Sequence, residues 1–184
     1  MNHLHLFLGP MFAGKSTNLI NKLRELYESG INSDNILLIN HKIDNRYNDK
    51  SFISTHNGDS VESIPLNELS NIFDNKIIDL ETKTYILIDE GQFFNDLYPN
   101  VIKLLKAGKT IYVSGLDGDF KQKPFNESGL LDLIPYATTV QKLTARCSVC
   151  NKIAPFTKRI IKSDEQILVG GANDYQPVCI THLE

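Results

Sequence analysis

The chain has 184 residues, 41% hydrophobic and 22% charged, with a formal charge of −3 and a pI near 5.9. This composition suits one core domain with a small appendage, and its acidic balance argues against a broad nucleic-acid surface. No apolar run approaches the ~20 residues of a membrane span, and the first ten residues lack the basic start and long apolar core of a secretory signal, so a cytoplasmic protein with no membrane partner is expected.

His3 to Leu8 (HLHLFL) reads as a short strand ending at Gly9. From Lys15 to Ser29, Leu19, Ile20, Leu23, Leu26 and Tyr27 recur at helical spacing, and Gly30 suits the helix end. Ile36 to Ile39 (ILLI) is the next strand and completes a βαβ unit. Residues 41–60 are polar and predict a long loop or exposed hairpin in which only SFIST looks strand-like. Leu66 to Phe73 suggests a short helix, and Tyr85 to Ile88 (YILI) a strand running into Asp89 and Glu90. Tyr98 to Ala107 reads as a helix ended by Gly108, and Thr110 to Val113 (TIYV) as another strand. The loop LDGDFKQKPF follows, then a short helix around Ser128 to Leu133 and a last core strand from Thr139 to Leu143. After Ala145 the pattern changes to short β-like pieces between cysteines: APFTKRIIK, QILV and YQPVC. The expected fold is α/β, with a P-loop core and mostly parallel sheet over residues 1–145 and a small zinc-ribbon-like unit over 146–184.

Residues 9–17, GPMFAGKST, fit the pattern G-x-x-x-x-G-K-[ST]. Gly9 and Gly14 allow the tight turn that points backbone N–H groups at phosphates, and Lys15 would lie against the β- and γ-phosphates. The Ser16 hydroxyl would ligate Mg²⁺. The candidate triphosphate site runs through Pro10, Met11, Phe12 and Ala13 to Thr17, with the positive end of the following helix behind it. Asp89 ends an apolar strand, as the Mg²⁺ partner of such a site should. Glu90 beside it can take a proton while its neighbour serves the metal.

The three cysteines are an odd number and make a poor disulfide framework. Cys147 and Cys150 form one C-x₂-C knuckle; Cys179 and His182 form a C-x₂-H knuckle after twenty-eight intervening residues. Together they predict a closed, structural Cys₃His zinc site with no open position for catalysis.

Three destinations for the phosphate remain open on these features: a small molecule in a kinase, water in a nucleic-acid-stimulated ATPase, or water in a GTPase switch. DEGQ is similar to the D-E-x-x boxes of helicases, but a single core supplies one of the two domains such motors need. His41-Lys42-Ile43-Asp44 departs from the guanine motif [NT]-K-x-D at its first position and lies after the second strand. Phe93, Leu116, Phe120 and Phe125 follow strand ends on the phosphate side, where open α/β sheets bind ligands, and an aromatic slot suits a flat base.

GPMFAGKST, DNRY, DEGQFF, LDGDFKQKPF, KLTARCSVC, FTKR, GGANDYQPVC and the final knuckle occur in that order. Together, over nearly the whole chain, they resemble the zinc-containing thymidine kinases of the cytosolic, poxviral and bacterial type. The resemblance implies nucleotide salvage: transfer of the γ-phosphate of ATP to the 5′-hydroxyl of thymidine, with Mg²⁺, and deoxyuridine as a second acceptor. It implies that Glu90 accepts the hydroxyl proton, that Asp44 and Arg46 of DNRY lie on the phosphate side with Arg46 as a transition-state cation, and that Gln92 belongs to the same turn. Met11, Phe93, Leu116, Phe120, Phe125 and Thr157 would form the base pocket. Gln166, Ile167, Leu168, Val169 and Gly170, with Tyr175, would form a lasso whose backbone hydrogen-bonds the pyrimidine edge. Zinc would then pin both ends of the lasso segment, whose closure without metal costs entropy. A homotetramer, feedback binding of thymidine triphosphate and no nucleic-acid partner also follow from the resemblance. The chain departs from the family pattern at His182, where a fourth Cys is usual, at Gly115 and Asp119, where Ala and Thr are expected, and at Gln166, where an apolar residue is usual. The last three bear on discrimination between thymidine and deoxyuridine.

Overall fold

The structure is a computed structural model that describes residues 2–43, 52–54, 60–74 and 78–184. Asp44 and Arg46 lie outside the described residues. The strands in chain order are β1 (Leu4–Leu8), β2 (Ile36–His41), β3 (Phe52–Ser54), β4 (Ser60–Glu62), β5 (Ile64–Leu66) and β6 (Tyr85–Ile88). They continue with β7 (Thr110–Gly115), β8 (Thr139–Lys142), β9 (Ala145–Arg146), β10 (Ile153–Ala154), β11 (Phe156–Arg159) and β12 (Tyr175–Val178). The α-helices are α1 (Lys15–Glu28), α2 (Asn71–Asp74) and α3 (Leu97–Lys106).

Six strands make one parallel sheet in the order β5-β2-β6-β7-β1-β8. Its central strands are apolar at nearly every position because both faces are covered, as parallel sheets require. Alternate residues serve opposite layers. Leu37, Ile39, Ile86, Ile88, Ile111 and Val113 join Leu97, Val101 and Leu104 of α3, while Ile36, Leu38, Leu87 and Tyr112 join Leu19, Ile20, Leu23 and Leu26 of α1. The helical spacing predicted for α1 and α3 is therefore the spacing of their buried stripes.

Three local expectations change. Leu66 ends a strand instead of starting a helix, because Ile64–Leu66 pairs with β2 at the sheet edge, where Pro65 is tolerated. The helix that follows is only the four residues of α2, and the N–H groups of Leu69 and Ser70 just before it are taken by the Asp96 carboxylate at 2.9 and 2.7 Å. The short helix near 128–133 is a 3₁₀ helix over Leu131–Tyr136. QILV is not a strand. Its backbone is irregular, and Arg159 and Tyr175 take carbonyls that a ladder would have used. SFIST does contribute β3, which pairs antiparallel with β4 and packs Ile53 against α1.

Residues after 144 build two small antiparallel ladders, β9 with β10 and β11 with β12. Their apolar cluster includes Ala145, Ala154, Val178 and two of the cysteines, and it packs onto Phe12 and Ala13 in the loop after β1. No described helix is long and apolar enough to cross a membrane.

Phe94 is fully buried between the sheet and the turn after β6, with the His41 ring edge-on at 4.8 Å. Phe94→Ala should lower unfolding free energy by about 3–5 kcal/mol, read from the urea midpoint. A loss below about 1 kcal/mol would mean that this layer can collapse around the cavity.

Candidate active site

Parallel strands deliver three chain segments to one edge. Leu8 pairs with Gly115, and Ile88 with Val113, so the segments leaving β1, β6 and β7 emerge side by side. The first is the phosphate loop. Gly14 has φ of +78°, a left-handed conformation that costs a side-chain-bearing residue strain. It also serves as the N-cap of α1 with no side-chain cap, and Gly14, Lys15, Ser16 and Thr17 at this positive helix end all line the cleft. Gly9 is needed for space: a Cβ there would stand 2.6 Å from the Leu143 carbonyl oxygen. The Lys15 ammonium curls over the loop to donate to the Pro10 carbonyl at 2.8 Å.

The second segment brings the carboxylates. Asp89 is buried; Ser114 and Ser16 hydroxyls and the Glu90 N–H donate to it. Burial, and then the charge of Glu90, push its pKa up to about 6, while those hydrogen bonds pull the other way. Ser16 and Asp89 therefore present oxygen donors in a setting that a divalent cation would relieve, which fits the hard-ligand chemistry of Mg²⁺. Glu90 itself is left-handed, at φ of 54°, so its side chain does not continue the strand alternation. Gln92 fixes that side chain. The Gln92 Oε1 accepts from Leu116 N–H at 2.9 Å, so its Nε2 must face Glu90, to whose Oε2 it donates at 2.6 Å.

The third segment, with the C-terminal loop, walls a cleft of about 920 Å³, counting space open to solvent. Met11, Phe12, Gly14, Lys15, Ser16 and Thr17 line it on one side and Glu90 on another. Phe93, Phe120 and Phe125, with the aliphatic Leu116, complete an apolar wall, with Phe93 and Phe125 edge to face at 6.1 Å. Thr157, Tyr175 and the run from Gln166 to Val169 with Gly170 close the far side. Of the expected residues, Gly9, Pro10, Ala13, Asp89 and Gln92 do not line this cleft.

Sequence reasoning missed several residues. Arg159 is buried, stacks on Phe120 at 3.7 Å, and donates to the carbonyls of Ser163, Glu165 and Gln166 at 3.1, 2.5 and 3.2 Å. Its guanidinium also donates to the Tyr175 hydroxyl, which in turn donates to the Leu168 carbonyl at 2.6 Å. The readable signal was parity, since Arg159 shares the inward face of β11 with Thr157. His41 is the second. Its Nδ1 accepts from Ile43 N–H and its Nε2 lies 3.0 Å from the Asn67 carbonyl, which defines a neutral ring. Burial pushes its pKa below the ordinary value, and the ring buttresses Phe93 and Phe94. Ile43 and Gly118 are further cleft residues that were not anticipated, and Asp119, singled out as a departure from the family pattern, lines the cleft as well.

Cys147, Cys150, Cys179 and His182 converge, with all four ligand atoms within 4.8 Å of one another. The Cys150–Cys179 sulfurs are 3.7 Å apart, and His182 Nδ1 lies 3.5 and 3.3 Å from the Cys147 and Cys179 sulfurs. A tetrahedron with ~2.3 Å bonds to sulfur has edges of about 3.8 Å, close to these three spacings, so the donor set suits zinc. Desolvation opposes ionisation of Cys147, but backbone N–H groups of Cys179, Cys150 and Val149 and the His182 ring outweigh it and bring the thiol down to about 5. Lys158 holds the chain end by donating to the carbonyls of His182, at 3.2 Å, and Glu184.

Strand, phosphate loop and helix on a parallel sheet place the chain among α/β proteins of the P-loop type, here with a Cys₃His cluster beside the loop. The family model "Thymidine kinase" matches residues 2–183, and the chain belongs to the thymidine kinase family. It is 41% identical to a thymidine kinase of Oryza sativa subsp. japonica over 181 residues, 97% of this chain and 65% of that protein, so it spans just under two thirds of the rice relative. It is 37% identical to thymidine kinase 1 of Dictyostelium discoideum over 96% of this chain and 75% of that one. With the thymidine kinase of Yaba monkey tumor virus it shares 41% over 96% of this chain and 92% of the viral protein.

Cys150→Ser should lose zinc, from about one ion per chain to well below that, and expose residues 151–178 to protease. Zinc content by mass spectrometry checks this; full zinc retention in the variant would remove Cys150 from the ligand set.

Proposed function

We propose that the protein is an ATP-dependent kinase that phosphorylates the 5′-hydroxyl of thymidine, with deoxyuridine as a second acceptor. The observation that carries this reading is the position of Glu90: Gln92 orients it, the phosphate loop lies on one side and the aromatic slot on the other. A carboxylate there suits a hydroxyl that arrives with a flat base in the slot.

In this reading Glu90 accepts the 5′-hydroxyl proton as that oxygen bonds to the γ-phosphorus and the bond to the bridging oxygen breaks, releasing ADP. Lys15 and the amides at the start of α1 face the phosphate oxygens, so positioning and charge neutralisation supply most of the rate. Mg²⁺, held by Ser16 and through water by Asp89, would neutralise charge on the β- and γ-phosphates. Arg46 and Asp44 belong to the same proposal on the strength of the DNRY motif. Met11, Phe93, Leu116, Phe120, Phe125, Thr157 and Tyr175 would contact the nucleoside, and the backbone of residues 166–170 would pair with the base edge. The zinc ion would be structural, and the division into units at residue 145 follows the change of pattern there. A homotetramer, inhibition by thymidine triphosphate and a cytoplasmic site of action complete the reading on family grounds.

Glu90→Gln should cut kcat by about 10²–10⁴-fold while calorimetry still detects ATP and thymidine binding. Turnover equal to wild type would exclude Glu90 as the base; loss of thymidine binding along with turnover would recast it as a binding group.

A further inference from the structure

We propose that Gln166 and Asp119 form a clasp that fastens the C-terminal loop across the cleft, making them the pair that positions the nucleoside-binding backbone. The proposal rests on the reading that residues 166–170 meet the nucleoside. Gln166 Nε2 donates to Asp119 Oδ2 at 2.8 Å and lies 3.4 Å from the Pro124 carbonyl. Asp119 is buried despite its charge. Its Oδ1 accepts the N–H groups of Lys121 and Lys123 at 2.8 and 2.9 Å, and its own N–H donates to the Lys123 carbonyl at 2.8 Å. The carboxylate is therefore rigid, presented by the turn between β7 and β8, with Oδ2 facing the loop. The other end of Gln166 is also held, since Arg159 takes its carbonyl at 3.2 Å.

Both residues line the cleft, so the clasp ties two of its walls side chain to side chain, beside the link that Arg159 makes by stacking on Phe120 while it holds the loop carbonyls. Breaking a hydrogen bond to a buried charge costs more than breaking a neutral one, because the carboxylate keeps its desolvation penalty. The loop would then sample positions in which its backbone cannot meet the base, and nucleoside affinity would fall by the lost closed fraction.

The pair permits an exchange test. Gln166→Glu sets two carboxylates face to face. Adding Asp119→Asn restores the bond with donor and acceptor reversed, since the oxygen of the introduced amide can still accept the two turn N–H groups while its nitrogen donates to the new carboxylate. Q166E should raise the KM for thymidine about tenfold, with most of the loss in KM rather than kcat and the KM for ATP unmoved. The double variant should recover to within about threefold of wild type. Hydrogen exchange without substrate should show faster backbone exchange over 163–174 in Q166E and recovery in the double variant. A Q166E protein with wild-type KM and exchange, or a double variant no better than Q166E, would overturn the clasp. If Q166E loses zinc or fails to fold, Gln166→Leu, which removes the donor without adding charge, carries the same readings, and unchanged exchange and KM there would overturn the clasp. Wild-type protein that does not phosphorylate thymidine would defeat the kinase reading instead, while the exchange arm still decides the clasp.

Discussion

Parallel register at the sheet's carboxyl edge is the constraint on which the rest depends. Because Leu8 pairs with Gly115 and Ile88 with Val113, the phosphate loop, the Asp89-Glu90 step and the Ser114-to-Leu116 step leave the sheet as neighbours. Ser114 on β7 can then donate to Asp89 just after β6, and Leu116 can fix Gln92, which fixes Glu90. A shift of one residue in either pairing would turn these side chains to the opposite face. The double-sided apolar burial of β2, β6, β7 and β1 is what prevents that shift.

The cysteine cluster extends this control to the rest of the cleft. Its apolar residues pack against Phe12 and Ala13, and the Thr157 hydroxyl accepts the Met11 N–H at 2.9 Å. The variable interior of the phosphate loop is thus supported by the same unit that carries the far wall. Arg159 continues the chain of supports: it stacks on Phe120 from the core and gathers three carbonyls of the loop before residue 167. A planar five-donor fork suits that task, and a lysine could not span the same carbonyls.

What could be read from the sequence was whatever local chemistry demands at fixed spacing. Gly9, Gly14, Lys15 and Ser16 announce a phosphate loop because few other turns need that set, and the two C-x₂-[CH] knuckles announce four converging ligands. YILI and TIYV were legible because strands buried on both faces are apolar throughout. What could not be read depends on partners distant in the chain. Asp96 caps the start of α2 from beyond β6, Gln92 owes its orientation to Leu116, and Gln166 finds Asp119 across 47 residues. Gln166 and Asp119 each looked like an isolated departure from the family pattern, and only their juxtaposition makes them one feature. QILV misled because an apolar run with carbonyls held by Arg159 and Tyr175 has the composition of a strand without a ladder.

The fate of the γ-phosphate tests the central claim most directly. Purified protein with ATP, Mg²⁺ and thymidine should form about one thymidine monophosphate per ADP, with inorganic phosphate a minor product and little ADP released without nucleoside. ADP release at the same rate with and without thymidine, matched by free phosphate, would show that water is the acceptor and would contradict transfer to a sugar hydroxyl.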